Sequence, residues 1–278
     1  MAQIKEDVRP SPIAGQWYPG NPQVLASSID QMIAAASPVE AEGHIIGLVV
    51  PHAGHQYSGH IAAQAFRLIQ GKPYQRVIVI APMHHLYHDP VLTSEHTAYQ
   101  TPLGKIPVDQ AFLHDLNNLV PLSAVRNDPE HSLEIELPFL QRVLAGSFSL
   151  VPLMLRSQTI ETADRLGRAL AQLIGEDRET LLVASSDLSH FYPDHTARQL
   201  DEIMLGKVLA FDPAGVIRVE DEGRAFACGR AAIATLLIAS RELGADTVSL
   251  AGYATSADAT GDRRRVVGYG AAVVYRKA

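Results

Sequence analysis

Three histidine-bearing strings and a single cysteine hold the residue types from which a metal site or an acid–base centre is built. His52 and His55 stand in PHAGH, His84 and His85 in PMHH, and Asp187 and His190 in SSDLSH. Imidazole is the commonest protein ligand for first-row transition metals, and its near-neutral pKa also suits it to proton transfer. A lone histidine at a strand end is more often a hydrogen-bonded cap than a ligand. It is the convergence of His52 and His84 that points to a shared site, with His55, His60, His85 and His88 expected farther out or facing solvent. Asp187 has three readings: a carboxylate ligand, an acceptor orienting a ligand imidazole, or a helix N-cap. Cys228 precedes Gly229 and Arg230 at the start of an apolar helix, where the helix dipole and free amides would favour a thiolate. Its ordinary alternative is a small buried hydrophobe. In the cluster at residues 127–134, Asp128 and Ser132 are explained as caps of the following helix, and only His131 lacks a structural reason.

These residues must be positioned by the elements between them. Residues 45–50, 77–81, 148–155 and 181–184 are short apolar runs rich in β-branched residues, the pattern of buried strands. Three- and four-residue apolar spacing predicts helices over 22–35, 61–68, 135–144, 162–174, 196–209 and 230–243, and closing strands over 247–253 and 266–275. Strand and helix alternate, which predicts an α/β fold with a mostly parallel or mixed central sheet flanked by helices. The histidine strings fall at the exits of three runs, and in open α/β sheets the carboxyl ends of parallel strands share one edge, where ligands bind. Gly54 and Gly59 are expected to let the chain turn tightly there, freeing His52 to face the crevice. Gly268 and Gly270 would mark bulges or close backbone approach. The connection from 82 to about 108 has no clear periodicity, and such long loops are usually functional or mobile.

The chain has 278 residues, 47% hydrophobic and 19% charged, which fits one globular domain over 1–278. A net charge of −7 argues against nucleic acid and anionic membranes as partners. The run Arg263, Arg264, Arg265 reads as a solvated loop. One cysteine allows no internal disulfide, the start MAQIKEDVRP lacks the apolar stretch of a leader, and no apolar run is long enough to span a membrane. A soluble, unprocessed, cytoplasmic protein is expected.

Seven strings, in order, carry a resemblance: AGQWYPG (14–20), VPHAGHQYSG (50–59), APMHH (81–85), YQTPLG (99–104), EHSLEIELPFL (130–140), ASSDLSH (184–190) and CGR (228–230). Together they resemble the Memo family, also called AmmeMemoRadiSam system protein B, over about residues 8–275. The resemblance implies a fold like that of the class III extradiol ring-cleavage dioxygenases, with a metal pocket at strand ends. It implies His52, His84 and Cys228 as metal ligands, Cys228 standing where those dioxygenases have a glutamate. It also places Asp187 and His190 in the same pocket and nominates His131 and His190 for proton transfer. A thiolate softens the site, so iron, zinc or copper(I) is expected rather than magnesium or calcium. The resemblance further implies Ammecr-like and radical-SAM protein partners in prokaryotes, whereas eukaryotic relatives are described as signalling or redox proteins. An oxidoreductase or dioxygenase-like enzyme with a non-haem iron and an unidentified small-molecule substrate is the leading expectation. The alternatives are a binding module for a peptide or small ligand and a zinc-dependent hydrolase.

Overall fold

Apolar runs that are hydrophobic on both faces must be covered on both faces, and these runs build the centre of the molecule. The structure is a computed structural model that describes residues 7–37 and 41–278. Residues 1–6, part of the segment on which the absence of a leader was read, lie outside the described residues. In chain order the elements are β1 (Val8–Arg9), α1 (Pro22–Ala35), β2 (Gly43–Val50), α2 (His55–Phe66), β3 (Arg76–Pro82), β4 (Val91–Ser94) and β5 (Ala98–Thr101). They continue with β6 (Gly104–Pro107), α3 (Gln110–Asn117), β7 (Ser123–Val125), α4 (Leu137–Val143), β8 (Ser149–Leu155), α5 (Ile160–Ile174) and β9 (Thr180–Ser185). The last are β10 (His190–Tyr192), α6 (Asp194–Leu209), α7 (Pro213–Asp221), α8 (Arg230–Glu242), β11 (Thr247–Thr255), α9 (Ser256–Thr260) and β12 (Val266–Lys277).

Nine strands form the main sheet in the order β10-β12-β2-β9-β3-β8-β4-β7, with β11 added on β12. The four strands β2, β9, β3 and β8 run parallel. The strands β12, β11 and β10 are antiparallel to their neighbours, as is β4 to β8, so the sheet is mixed. Helix α8 is buried along almost its whole length, packing on α5 and on β2, β3 and β9, while α2 lies against β2, β11 and β12. Among the described residues no helix is long and apolar enough to cross a membrane.

The featureless connection after β3 is ordered. It contains β4, β5 and β6, and β5 and β6 join β1 in a separate small sheet. Each of these strands has four residues, too few for an alternating pattern to stand out in sequence.

The glycine readings are partly corrected. Gly54 opens α2 with an ordinary φ of −54°. Gly59 lies inside α2, where a Cβ would stand 2.7 Å from the Met32 sulfur of α1. It is required by helix packing, not by a turn. Gly268 and Gly270 do mark close approach: added Cβ atoms would meet the Asp201 carboxylate at 1.9 Å and Leu205 at 2.9 Å.

Candidate metal centre

The register of the sheet brings the chemistry together. Val50 at the end of β2 is level with Ser185 at the end of β9, and Ile80 near the end of β3 is level with Ala184. His52, His84 and Asp187 therefore leave the sheet side by side, each shortly beyond its strand's last residue. Cys228 arrives from elsewhere, in the turn ahead of α8. Gly229 lets that turn close on the sheet: a Cβ there would lie 2.5 Å from the Ser185 carbonyl oxygen and 2.8 Å from Ser186 Cβ. The Gly229 amide donates to Ser186 Oγ at 2.9 Å and the Cys228 amide to the Asp187 carbonyl at 3.2 Å.

Cys228 Sγ stands 3.1 Å from His52 Nε2, and the His52 and His84 rings are nearly perpendicular with centroids 5.4 Å apart. One donor atom from each of His52, His84 and Cys228 lies within 4.8 Å of the others. Ligand atoms held at about 2.0–2.3 Å from one ion are separated by about 3–4.5 Å, so this trio fits a single ion with small adjustment.

Hydrogen bonding settles which imidazole nitrogens are free. Ser185 Oγ gives its one proton to the Ser132 carbonyl, 2.6 Å away and able only to accept, and a Glu136 oxygen lies 2.9 Å from the same hydroxyl. Its proton is thereby engaged, so the contact of 2.9 Å between Ser185 Oγ and His52 Nδ1 requires the ring to donate, leaving Nε2 bare. His84 Nδ1 likewise donates to Glu130 Oε1 at 2.9 Å, leaving its own Nε2 bare. Glu130 is 1% exposed, and its oxygens also accept the amides of His84 (2.7 Å), His131 (3.0 Å) and Ser132 (3.0 Å). A second donor group, of His84, Glu130 and His131, is equally close. There, however, the Glu130 oxygens are already engaged by those N–H groups.

Asp187 stands outside both donor groups. Its Oδ1 accepts the amides of His52 at 2.8 Å and Ala53 at 3.3 Å, so it fixes the main chain of a candidate ligand and not its imidazole. It caps no helix, because α6 begins only at Asp194. Burial raises its carboxyl to about 7, against the lowering effect of those amides. His190 and His131 both line the cleft above the trio. His131 stacks on His84 (centroids 5.0 Å) and meets Trp17 at a tilt of 32° (centroids 4.1 Å).

Burial favours the neutral forms of His52, His131, His190 and Cys228. Burial, with His131 and His84 close by, holds His52 well below its ordinary pKa; burial likewise lowers His190, and His131 to about 4. The Cys228 thiol is pushed up by burial and then by Asp187. Desolvation therefore outweighs the helix-start effect that favours a thiolate, and a bound cation would have to displace the proton. Glu130 is also disfavoured by burial, yet the His84 hydrogen bond and the surrounding amides hold it well below the usual carboxylate range.

The capping explanation for residues 127–134 fails. Asp128 and Glu134 are ion-paired to buried Arg9, and Ser132 Oγ donates to the Pro82 carbonyl at 2.8 Å. The one-turn helix that follows has no side-chain cap. A guanidinium 3% exposed needs carboxylate partners, and that need accounts for the acids. The arginine run divides. Arg263 and Arg264 pair with Asp194 and Asp262, while Arg265 lines the cleft with its guanidinium over Phe191, 5.3 Å from the ring centroid.

The cleft has a volume of about 960 Å³, the size of a small-molecule site. A family model for Memo-like proteins matches residues 9–273. The chain belongs to the Memo family. A Memo-family relative from Nitrosopumilus maritimus is 34% identical over 95% of this chain and 98% of its own length. Relatives from Methanopyrus kandleri and Methanosarcina mazei, also described as MEMO1 family proteins, are each 34% identical over 95% and 96% of this chain and 98% and 99% of their own. A crystal structure of an uncharacterized protein from Escherichia coli K12 superposes with a TM-score of 0.50 at 15% identity, over 82% of this chain and 99% of that one. That likeness speaks for the fold alone.

Sequence reasoning passed over Glu130, Ser185, Glu136 and Trp17. The available signal for the acids was that Glu134 and Glu136 interleave with Leu133, Ile135 and Leu137, leaving no polar face for them; all three glutamates, Glu130 included, are 1% exposed.

Proposed function

We propose that this chain is a metal-dependent enzyme: His52, His84 and Cys228 hold a transition metal, iron foremost, and the cleft admits a small organic substrate for an oxidoreductase reaction. The observation that carries this assignment is a pair of tautomer-fixed imidazoles and a thiol at the foot of a cleft, with two further imidazoles on its wall. His131 and His190 lie outside the ligand trio, and a pocket meant only to hold a ligand has no need of them. Mixed imidazole and thiolate ligation suits iron, zinc or copper(I), and such an ion would supply Lewis-acid or one-electron chemistry.

In this proposal the protein's own groups divide the labour. Glu130 and Ser185 keep the ligand rings in one tautomer, and Asp187 anchors the main chain of His52. His131 and His190 accept or return a proton at the substrate. Trp17 and Phe191 narrow the cleft and limit water. A dioxygenase-like reaction in the cytoplasm, beside Ammecr-like and radical-SAM partner proteins, belongs to the same proposal and is supported by family membership. A zinc hydrolase is the second reading, because three protein donors, two of them bordering an open cleft, also suit catalytic zinc.

The test is metal analysis of protein purified without oxygen, then titration with iron(II), zinc(II) and copper(I). We expect one ion per chain, an optical or spin signature of a thiolate–iron bond, and loss of the ion in Cys228→Ser. Zinc with hydrolytic turnover would move the assignment to the second reading. Unchanged metal affinity in Cys228→Ser would defeat both.

A further inference from the structure

Behind Trp17 lies a second cavity, of about 710 Å³, between the loop at residues 15–19, helix α1 and helix α2 as far as Gln64. Among the described residues its walls contain no Asp, Glu, Lys or Arg; the polar groups are amides, hydroxyls and imidazoles. Two of its lining residues carry buried polar atoms with no hydrogen-bond partner, His55 Nδ1 and Gln64 Oε1. His55 is 6% exposed and held between the rings of Tyr18 and Phe139. Its Nε2 lies 3.3 Å from the Ile135 carbonyl oxygen, which can only accept. The ring proton therefore sits on Nε2, and Nδ1 is a bare lone pair. Both orphan atoms are acceptors, and a buried acceptor left unmet is costly, so a donor that reaches it is favoured.

We propose that this cavity is a second small-molecule site, which takes an uncharged ligand that presents hydrogen-bond donors from an apolar body, with His55 Nδ1 and Gln64 Oε1 as acceptors. A primary carboxamide is the simplest such group. The absence of charged residues from the walls disfavours carboxylates and ammonium groups, whose desolvation nothing there would offset. Met32, Ala35, Ala36 and Tyr18 supply the apolar surface for the body of the ligand. The cavity shares Gln16, Trp17 and Gln56 with the metal cleft. Trp17 is the only tryptophan of the chain; bordering both spaces, its emission reports a ligand in either, and the amide shifts of α1 and α2 against those of the metal cleft say which.

The experiment titrates the intact protein with benzamide, N,N-dimethylbenzamide and benzoate, following Trp17 fluorescence and amide chemical shifts. Benzamide should bind saturably, about tenfold tighter than its dimethyl analogue, which keeps the shape and loses the donors, and than benzoate, which brings a charge. Gln64→Leu and His55→Phe should each lose about tenfold in benzamide affinity. Cys228→Ser should leave it unchanged, which keeps this result separate from the fate of the metal assignment. Equal binding of benzamide and N,N-dimethylbenzamide, no saturable response at millimolar concentration, or wild-type affinity in Gln64→Leu would each overturn the proposal and leave the two acceptors to water.

Discussion

Glu130 does for His84 what Ser185 does for His52, and it does so with a charge. Both of its oxygens face N–H groups, from the His84 ring and from the amides of His84, His131 and Ser132. Glu130→Gln keeps the shape but turns an NH₂ group towards those donors. Metal affinity should fall about 10- to 100-fold, as is typical when a carboxylate supporting a ligand histidine is lost. Competition with a chromogenic chelator measures it, and wild-type affinity would mean that His84 is held by packing alone. His131→Ala and His190→Ala should retain the ion and slow turnover about 10²- to 10⁴-fold, the usual weight of a general acid or base. Loss of metal from either would place it among the ligands. His52 and His84 were legible as candidates because each stands just past an apolar run, and Cys228 because it stands just ahead of one. Glu130 was not: an acid ahead of a helix already has an ordinary explanation, and only Arg9, paired with Asp128 across 119 positions of sequence, shows that explanation to be wrong.

The elements place these residues through strand register on one side and one tight turn on the other. Gly229 is where the two meet. A methyl group there would press on the Ser185 carbonyl and Ser186 Cβ, both belonging to the chain as it leaves β9. Gly229→Ala should cost about 1–3 kcal/mol in urea denaturation, the range for overpacking, and should also weaken metal binding by moving Cys228. Stability lost without any change in metal affinity would show that the turn can shift while Sγ stays in place. The central strands and the six predicted helices were readable because burial imposes a period on long segments. The strands β4 to β7 were not, being three or four residues long. The glycines were flagged correctly as special but for the wrong reason at Gly54 and Gly59, since sequence does not say which neighbour a missing side chain makes room for.

The whole molecule buries several imidazoles in neutral form, which ties its stability to pH. Burial lowers His55 from 6.5 to about 4, opposed only by its bond to Ile135. Between those values the unfolded chain takes up a proton that the folded one refuses. The contribution is therefore complete above pH 6.5 and is lost as pH falls towards 4. Asp187, raised from 3.8 to about 7, works in the opposite sense over an overlapping range, so the difference between two proteins is the clean measurement. His55→Phe should gain about 2–3 kcal/mol on the wild type between pH 7 and about pH 4.5 in urea denaturation. Parallel curves for the two proteins would show that His55 titrates normally. The reach of the ligand set along the chain has a further consequence, for biosynthesis. His52 and Cys228 are separated by 176 positions. At about 5–20 residues per second, the ribosome releases the cysteine about 10–35 s after the first histidine. Until then the emerging chain offers imidazoles without their thiol, and the turn at Gly229 that presents the sulfur does not yet exist. Under the proposed assignment, selection of the ion thus falls to the metal supply that meets the finished polypeptide, not to whatever the nascent chain encounters first.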